Sequence, residues 1–260
     1  MSTPSQVDYP AAVAAQTAGF VGAVAGADLA TAVPSCPGWT LADLVKHAGS
    51  VQRWFSVLLR QRIQERPTSR EVDLELPEHE TDYPEWLAAG AAAAAAAAAF
   101  TAAGDLNNPM WAWGADQHAR FWVRQMLFET LLHRVDAELA LGLRPTVDHD
   151  LAADGVDEFL VNLPFAAFFA PRTANLRSSD GEQTIRFSCA DADRDWLVRL
   201  RADGFGLDQE AAAVTADATV RGSAQDLLLL VYGRLDLAAG GFEIVGDEEL
   251  LARWFANSAF

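Results

Sequence analysis

Residues Phe121 to Leu141 read FWVRQMLFETLLHRVDAELAL, a run rich in helix-forming residues with apolar side chains over much of its surface. Glu129 and His133 lie four residues apart in this run, so both side chains fall on one face of the predicted helix. A carboxylate and an imidazole placed in this way can bind the same metal ion. The apolar surroundings predict a central helix of a bundle, where a buried glutamate needs a partner such as a metal. The alternative is a solvated or paired glutamate and histidine.

A third ligand is available on the segment that follows Thr40. Thr40 and Asp43 have nearly the spacing of a capping box, and the apolar residues after them keep a helical period to about Arg62. His47 lies in the middle of this predicted helix, beside its apolar face. Two imidazoles and one carboxylate with open coordination positions match a catalytic metal site, for which zinc is the expected ion and iron, nickel or manganese are alternatives. Taken alone, His47 also fits a hydrogen-bonded core histidine.

The rest of the chain predicts a two-domain α+β protein. Four predicted helices, over about 7–26, 40–62, 86–103 and 115–141, suggest an N-terminal four-helix bundle. After Pro145 the pattern changes to a helix over 151–169, alternating segments at 183–189, 195–201 and 213–221, and helices at 224–235 and 248–256. This half predicts a small antiparallel sheet with helices. We therefore expect domains at 1–147 and 148–260.

Composition excludes several classes of partner. The 260-residue chain has a formal net charge of −17, which argues against binding to nucleic acid or to an anionic membrane. The alanine-rich run between 87 and 104 is too short and too weakly apolar for a membrane span. Two distant cysteines and the absence of a signal-peptide pattern favour a reducing, cytoplasmic location. The oligomeric state is left open.

Other residues near the Glu129 face have more than one interpretation. His118 and Gln125 fall on roughly the same face, where they line a pocket or orient a ligand, with a solvated helix start as the alternative. The aromatic loop Trp111–Trp113 and the acidic, proline-punctuated segment Glu65–Glu85 are candidate walls of the site.

Two further residues close to these motifs are expected to have structural roles. Asp136 follows His133 by three positions and is expected to pair with a basic neighbour such as Arg134 or Arg53. Cys36, in a proline-rich turn, is expected to be a small packed residue, with a reactive thiol as the alternative. The sequence contains no glycine-rich phosphate loop and no G-x-S-x-G motif.

Two motifs together resemble a known family. The segment CPGWTLADLVKH at 36–47, combined with ETLLHRVDAE at 129–138, resembles the actinobacterial mycothiol-dependent maleylpyruvate isomerase family, which belongs to the DinB-like metalloenzymes. The segment TVRGSAQDLLLLVYGRL at 219–235 is similar to that family's strand-to-helix junction. The resemblance covers nearly the whole chain and implies a DinB-like helical bundle followed by an α+β domain like that of sterol carrier proteins.

The resemblance also implies the residues of the site. The family pattern assigns the metal to His47, Glu129 and His133, all of which this sequence retains. It further implies an arginine of the C-terminal domain near the substrate. Arg234 is the candidate for that role and Arg221 is the alternative.

The implied activity is that of a metal-dependent enzyme with a low-molecular-weight thiol as co-substrate. The resemblance implies a divalent metal, with zinc expected, and mycothiol as the thiol. It implies small-molecule partners only: the thiol and an electrophilic substrate, converted by cis–trans isomerisation or by S-transfer. The alternative is a non-catalytic module that binds a structural metal or an apolar ligand.

Overall fold

The computed structural model of the chain describes residues 7–67, 73–92, 106–179, 181–208, 215–239 and 241–259. The chain divides after Pro145 into two compact units. The first unit is helical and the second contains a sheet, so the predicted two-domain α+β class is confirmed. Within the described residues, no helix is long and apolar enough to cross a membrane.

The described part of the first unit contains four helices. They are α1 (Tyr9–Val24), α2 (Leu41–Gln61), α3, described over 83–92, and α4 (Ala119–Ala140). A 3-10 turn at Glu80–Asp82 precedes α3, which therefore starts three residues before the predicted position. The predicted continuation of this helix to 103 lies outside the described residues.

The fourth helix starts later than predicted. Residues 115–118 belong to a loop, in which the Met110 amide donates to the Gln117 carbonyl and Pro109 pairs with His118 in an isolated β-bridge. The Gln117 side chain also bonds the backbone of Ala112 and Gly114. These bonds satisfy backbone groups that a helix start at 115 would use, so α4 begins at Ala119.

The start of α2 follows the predicted cap. The Thr40 hydroxyl accepts a hydrogen bond from the Asp43 amide, and the Asp43 carboxylate accepts one from the Thr40 amide. Hydrogen bonds from the backbone and side chain of Thr40 hold the pKa of Asp43 below its usual value. The reciprocal bonds fix the first turn of α2, and hence the position of His47 two turns later.

α4 packs between α1 and α2. Its Trp122 ring contacts the rings of Trp54 and Phe55, with centroids 5.5 Å and 5.1 Å apart. About two turns further along α4, the Thr130 hydroxyl accepts a hydrogen bond of 3.1 Å from the buried Gln52 amide. These contacts pair the late part of α2 with the early part of α4, so the two helices run antiparallel.

The second unit combines helices with a five-stranded sheet. Its helices are α5 (His149–Asn162), α6 (Ala224–Val231) and α7 (Glu248–Ser258), and its strands are β1 (Gln183–Cys189), β2 (Asp195–Leu200), β3 (Phe205–Asp208), β4 (Ala218–Gly222) and β5 (Glu243–Gly246). The helix predicted over 151–169 ends at Asn162 and continues as a 3-10 turn, Leu163–Phe168. Pro164 explains this end, because proline lacks an amide donor and disfavours helical conformation in the residue before it.

The sheet is mixed, and the prediction of an antiparallel sheet was wrong. The strand order is β3-β2-β1-β4-β5, and β1 pairs with β4 in parallel, with Phe187 opposite Val220. The other three pairings are antiparallel. A period of two marks a strand that has one buried face in either kind of pairing, so the sequence pattern did not distinguish them. β3 and β5 are four residues long, too short to show an alternation.

Candidate metal centre

The structure brings His47, Glu129 and His133 together. His47 comes from α2 and the other two residues from α4, and one potential ligand atom of each lies within 4.8 Å of the others. The two imidazole rings are 4.9 Å apart and nearly perpendicular. Nε2 of His133 is 3.3 Å from Oε2 of Glu129. Antiparallel packing of α2 against α4 therefore produces the cluster that the spacing of Glu129 and His133 suggested.

Asp136 orients the His133 ring from the other side. Its carboxylate is fully buried, and its Oδ2 lies 2.9 Å from Nδ1 of His133. The sequence predicted Arg134 or Arg53 as the partner of Asp136, whereas the structure shows His133 in contact with it and Arg134 bound to Glu138. Arg53 instead lies over the ring of Trp86 and donates to its carbonyl.

The charge state of His133 follows from these neighbours. Burial, the largest single influence, lowers the pKa of His133. Hydrogen bonds and charge attraction from Asp136 and Glu129 together outweigh burial and raise that pKa to about 9. In the metal-free protein His133 is therefore protonated at neutral pH, and a metal ion must displace a proton to bind there.

The turn that precedes α2 covers one side of the cluster. The Trp39 amide donates to the Cys36 carbonyl at 3.0 Å, and Gly38 has a φ of +87°, as the third position of a type II turn requires. This turn places the Trp39 ring 5.0 Å from the His47 ring and 6.5 Å from that of His133. Proline followed by glycine predicts such a turn, but sequence reasoning missed its contact with the histidines.

The structure gives Cys36 a polar environment. Its Sγ lies 3.7 Å from Oδ2 of Asp136, and the two residues form a second group of potential ligands with His133. Cys36 packs against the apolar core, as expected, and this polar contact is an additional one. Cys36 and Asp136 are a hundred positions apart, so no local pattern in the sequence indicates their contact.

The donor set fits a divalent metal ion. With Asp136 bonded to Nδ1, the His133 ring presents Nε2 to Glu129 and the His47 side, which is the tautomer that a metal ligand needs. The Glu129 side chain is 32% exposed and His47 is half-buried. Two nitrogens and one carboxylate with an accessible side are the pattern of a metal site that retains an open position.

The other predicted site residues divide between the site and its surroundings. His118 occupies the N-cap position of α4, where its side chain makes no capping hydrogen bond and instead pairs with Asp116. Gln125 lies one turn before Glu129 on α4 and is half-buried. In the aromatic loop, the Trp111 carbonyl accepts a hydrogen bond from the buried Trp122 indole, so this loop packs at the Trp122 end of α4.

Two family models match the chain in succession. The model for the mycothiol maleylpyruvate isomerase N-terminal domain matches residues 11–138, and the model for the MDMPI C-terminal domain matches residues 150–253. The chain belongs to the mycothiol-dependent maleylpyruvate isomerase family. The resemblance found in the motifs is confirmed. No curated protein matches the chain in a sequence comparison.

Solved structures agree with this family's fold. A crystal structure of the mycothiol-dependent maleylpyruvate isomerase is similar over 94% of this chain and 95% of that chain, with a TM-score of 0.58 and 15% identity. The crystal structure of a histidine-to-alanine mutant of such an isomerase gives the same coverage and TM-score at 14% identity. Sequence identity at this level supports a shared fold but does not identify the substrate, which depends on the residues of the site.

The two arginines predicted as candidates from the sequence lie in the second unit. Arg234 follows α6, is half-buried, and donates from Nη1 to the Tyr232 carbonyl at 2.6 Å. Arg221 is exposed on β4 and borders an open depression of about 530 Å³. Three aspartates line the same depression: Asp191, Asp193 and Asp195.

Proposed function

We propose that the chain is a metal-dependent enzyme that uses a low-molecular-weight thiol, mycothiol, in cis–trans isomerisation or S-transfer. The observation that carries the proposal is the cluster of His47, Glu129 and His133, with His133 oriented by Asp136. Membership of the maleylpyruvate isomerase family supports the choice of thiol. Cys36 and Cys189 form no disulfide, which supports the proposed reducing, cytoplasmic location.

The three clustered residues would hold the metal, with zinc as the proposed ion. A bound divalent metal would lower the pKa of the thiol S–H, so that thiolate is available at neutral pH. Asp136 keeps the proton of His133 on Nδ1 and leaves Nε2 as the ligand atom. Trp39 packs beside both imidazoles, where its ring excludes water from one side of the cluster.

The reaction needs a thiolate and a group that stabilises developing negative charge. In isomerisation, the thiolate adds to a double bond conjugated with a carbonyl, and the bonding electrons move onto the carbonyl oxygen. Rotation about the resulting single bond and expulsion of the thiolate give the trans isomer and regenerate the thiol. In S-transfer the new carbon–sulfur bond stays and a proton completes the product.

Arg234 is the proposed partner of the substrate's negative charge. A guanidinium suits this role because it is always charged and donates two parallel hydrogen bonds to a carboxylate. The surroundings of Arg221 disfavour it, because three aspartates outnumber the two arginines, Arg194 and Arg221, that line the same depression and would weaken the binding of an anionic substrate. Arg234 is half-buried, and its Nη1 donates to the Tyr232 carbonyl.

The test is thiol-dependent turnover of a conjugated cis-dicarboxylate such as maleylpyruvate, followed by ultraviolet absorbance. We expect turnover to require mycothiol, to disappear after chelation, and to return on addition of zinc. Mass spectrometry of the products separates isomerisation from S-transfer by the presence of attached thiol. Turnover that survives complete removal of the metal would contradict the proposal. Arg234→Met should lower kcat/KM while Arg221→Met leaves it unchanged.

A further inference from the structure

The Gln125 side chain contains an unsatisfied hydrogen-bond acceptor next to the cluster. Gln125 precedes Glu129 by four residues on α4, so the two side chains are neighbours on the same helical face. Its Oε1 is buried and accepts no hydrogen bond from any group of the described chain. A buried carbonyl oxygen without a donor is costly, so a native protein normally supplies one.

α4 contacts α2 at two levels, one on each side of Gln125. His47 packs against His133, and Trp54 packs against Trp122 two turns further along α2. Gln125 lies between these two contact levels along α4. A ligand that extends from the cluster along this line would bring its own donor to Gln125.

The spacing sets the size of such a ligand. One turn of helix separates Gln125 from Glu129, a rise of about 6 Å. A donor two or three bonds from a sulfur atom at the cluster would therefore lie within reach of the Gln125 amide. An amide N–H on a short thiol has this placement, and so does a hydroxyl.

We propose that Gln125 is a specificity-determining residue that selects thiols with a hydrogen-bond donor near the sulfur. Its Oε1 accepts a hydrogen bond from the N–H or O–H of the thiol's arm. The inference rests on the proposed thiol-dependent function and adds to it the chemical class of thiol that the site prefers. A site that hydrogen-bonds its ligand discriminates strongly against an analogue without the donor, because the protein group is then left unpaired.

Two matched thiols test this in the cobalt-loaded full-length protein. N-acetylcysteamine carries an amide N–H two carbons from its sulfur, and 2-mercaptoethyl acetate replaces that N–H with an ester oxygen. Thiolate binding to cobalt is followed by its charge-transfer absorbance, with no electrophile present. We expect the wild type to bind the amide about tenfold more tightly than the ester, from the value of one buried hydrogen bond.

Two variants test whether Gln125 causes the preference for the amide thiol over the ester thiol. In Gln125→Met, which keeps the length and removes the acceptor, the two thiols should bind with equal affinity and the cobalt content should stay at the wild-type level. Gln61→Met, at the exposed end of α2, should keep the tenfold preference. Equal affinities in the wild type, or a preference that survives in Gln125→Met, would overturn the role of Gln125. Failure of both thiols to produce a charge-transfer band would instead contradict the proposed function.

Because thiol binding is measured without electrophile, the experiment also identifies the source of the donor. A preference for the amide in these titrations assigns the hydrogen bond to the thiol. An effect of Gln125→Met that is confined to the KM of the electrophile would overturn this assignment.

Discussion

The hydrogen bond between Asp136 and His133 sets the strength of the proposed metal site. Replacing Asp136 with asparagine keeps the shape of the side chain and removes its negative charge. The carboxylate is fully buried and 2.9 Å from Nδ1 of His133, so solvent does little to replace the lost charge. Loss of such a supporting partner weakens metal binding by about 10- to 100-fold, which corresponds to about 1.4–2.8 kcal/mol.

The size of this loss should depend on pH. Asp136 stabilises both the protonated and the metal-bound imidazole of His133. Its removal therefore weakens the binding of a proton and the binding of a metal ion to that ring. In the wild type the pKa of His133 is about 9, and proton competition at pH 7 therefore weakens metal binding by roughly 100-fold. The variant loses part of this competition because its His133 has a lower pKa. We expect the full loss above pH 9 and a smaller loss at pH 7.

The assay is competition for zinc against a chelator of known affinity at several pH values. Asp203→Asn, an exposed change in the second unit, is the matched control and should bind zinc like the wild type at every pH. Equal zinc affinities of wild type and Asp136→Asn above pH 9 would refute the reasoning. So would a loss that grows as the pH falls.

Three further predictions concern stability. Thr40→Ala removes the capping box of α2 and should lower the free energy of unfolding by about 1 kcal/mol in chemical denaturation; an unchanged midpoint would contradict the role of the cap. Gly49→Ala would place a Cβ 2.2 Å from the Trp86 ring and should cost about 1–3 kcal/mol, whereas Gly22→Ala, with open space around it, should gain up to about 1 kcal/mol; two losses of equal size in the same assay would refute the close approach. In metal-free protein, the pKa of His133 rises from 6.5 to about 9 on folding. This shift adds about 3 kcal/mol to the free energy of unfolding, a contribution that is fully present below pH 6.5 and is lost as the pH rises through 9. Chemical denaturation across this pH range should show the decline in the wild type and a smaller decline in His133→Ala.

Local patterns predicted those parts of the structure that depend on neighbouring residues. The cap at Thr40, the shared face of Glu129 and His133, and the strand at Gln183–Cys189 each follow from spacing within a few residues. Such features depend on backbone geometry that is the same in any fold, so the sequence alone is sufficient.

Contacts between distant segments were the main source of error. Arg134 and His133 both lie within three positions of Asp136 in the sequence. Which of them contacts the Asp136 carboxylate depends on which face of the helix the bundle buries. Cys36 reaches Asp136 only because the turn before α2 folds back over α4. The parallel pairing of β1 with β4 likewise depends on how the chain returns to the sheet, which alternation in one strand does not encode.

Metal content tests the central claim most directly. Elemental analysis of the purified chain should find about one equivalent of a divalent metal, with zinc expected. The metal should be lost in His47→Ala and in His133→Ala, because each variant removes one of three ligands, and retained in Gln61→Met. Wild-type protein without metal, or both histidine variants with full metal content, would contradict the account.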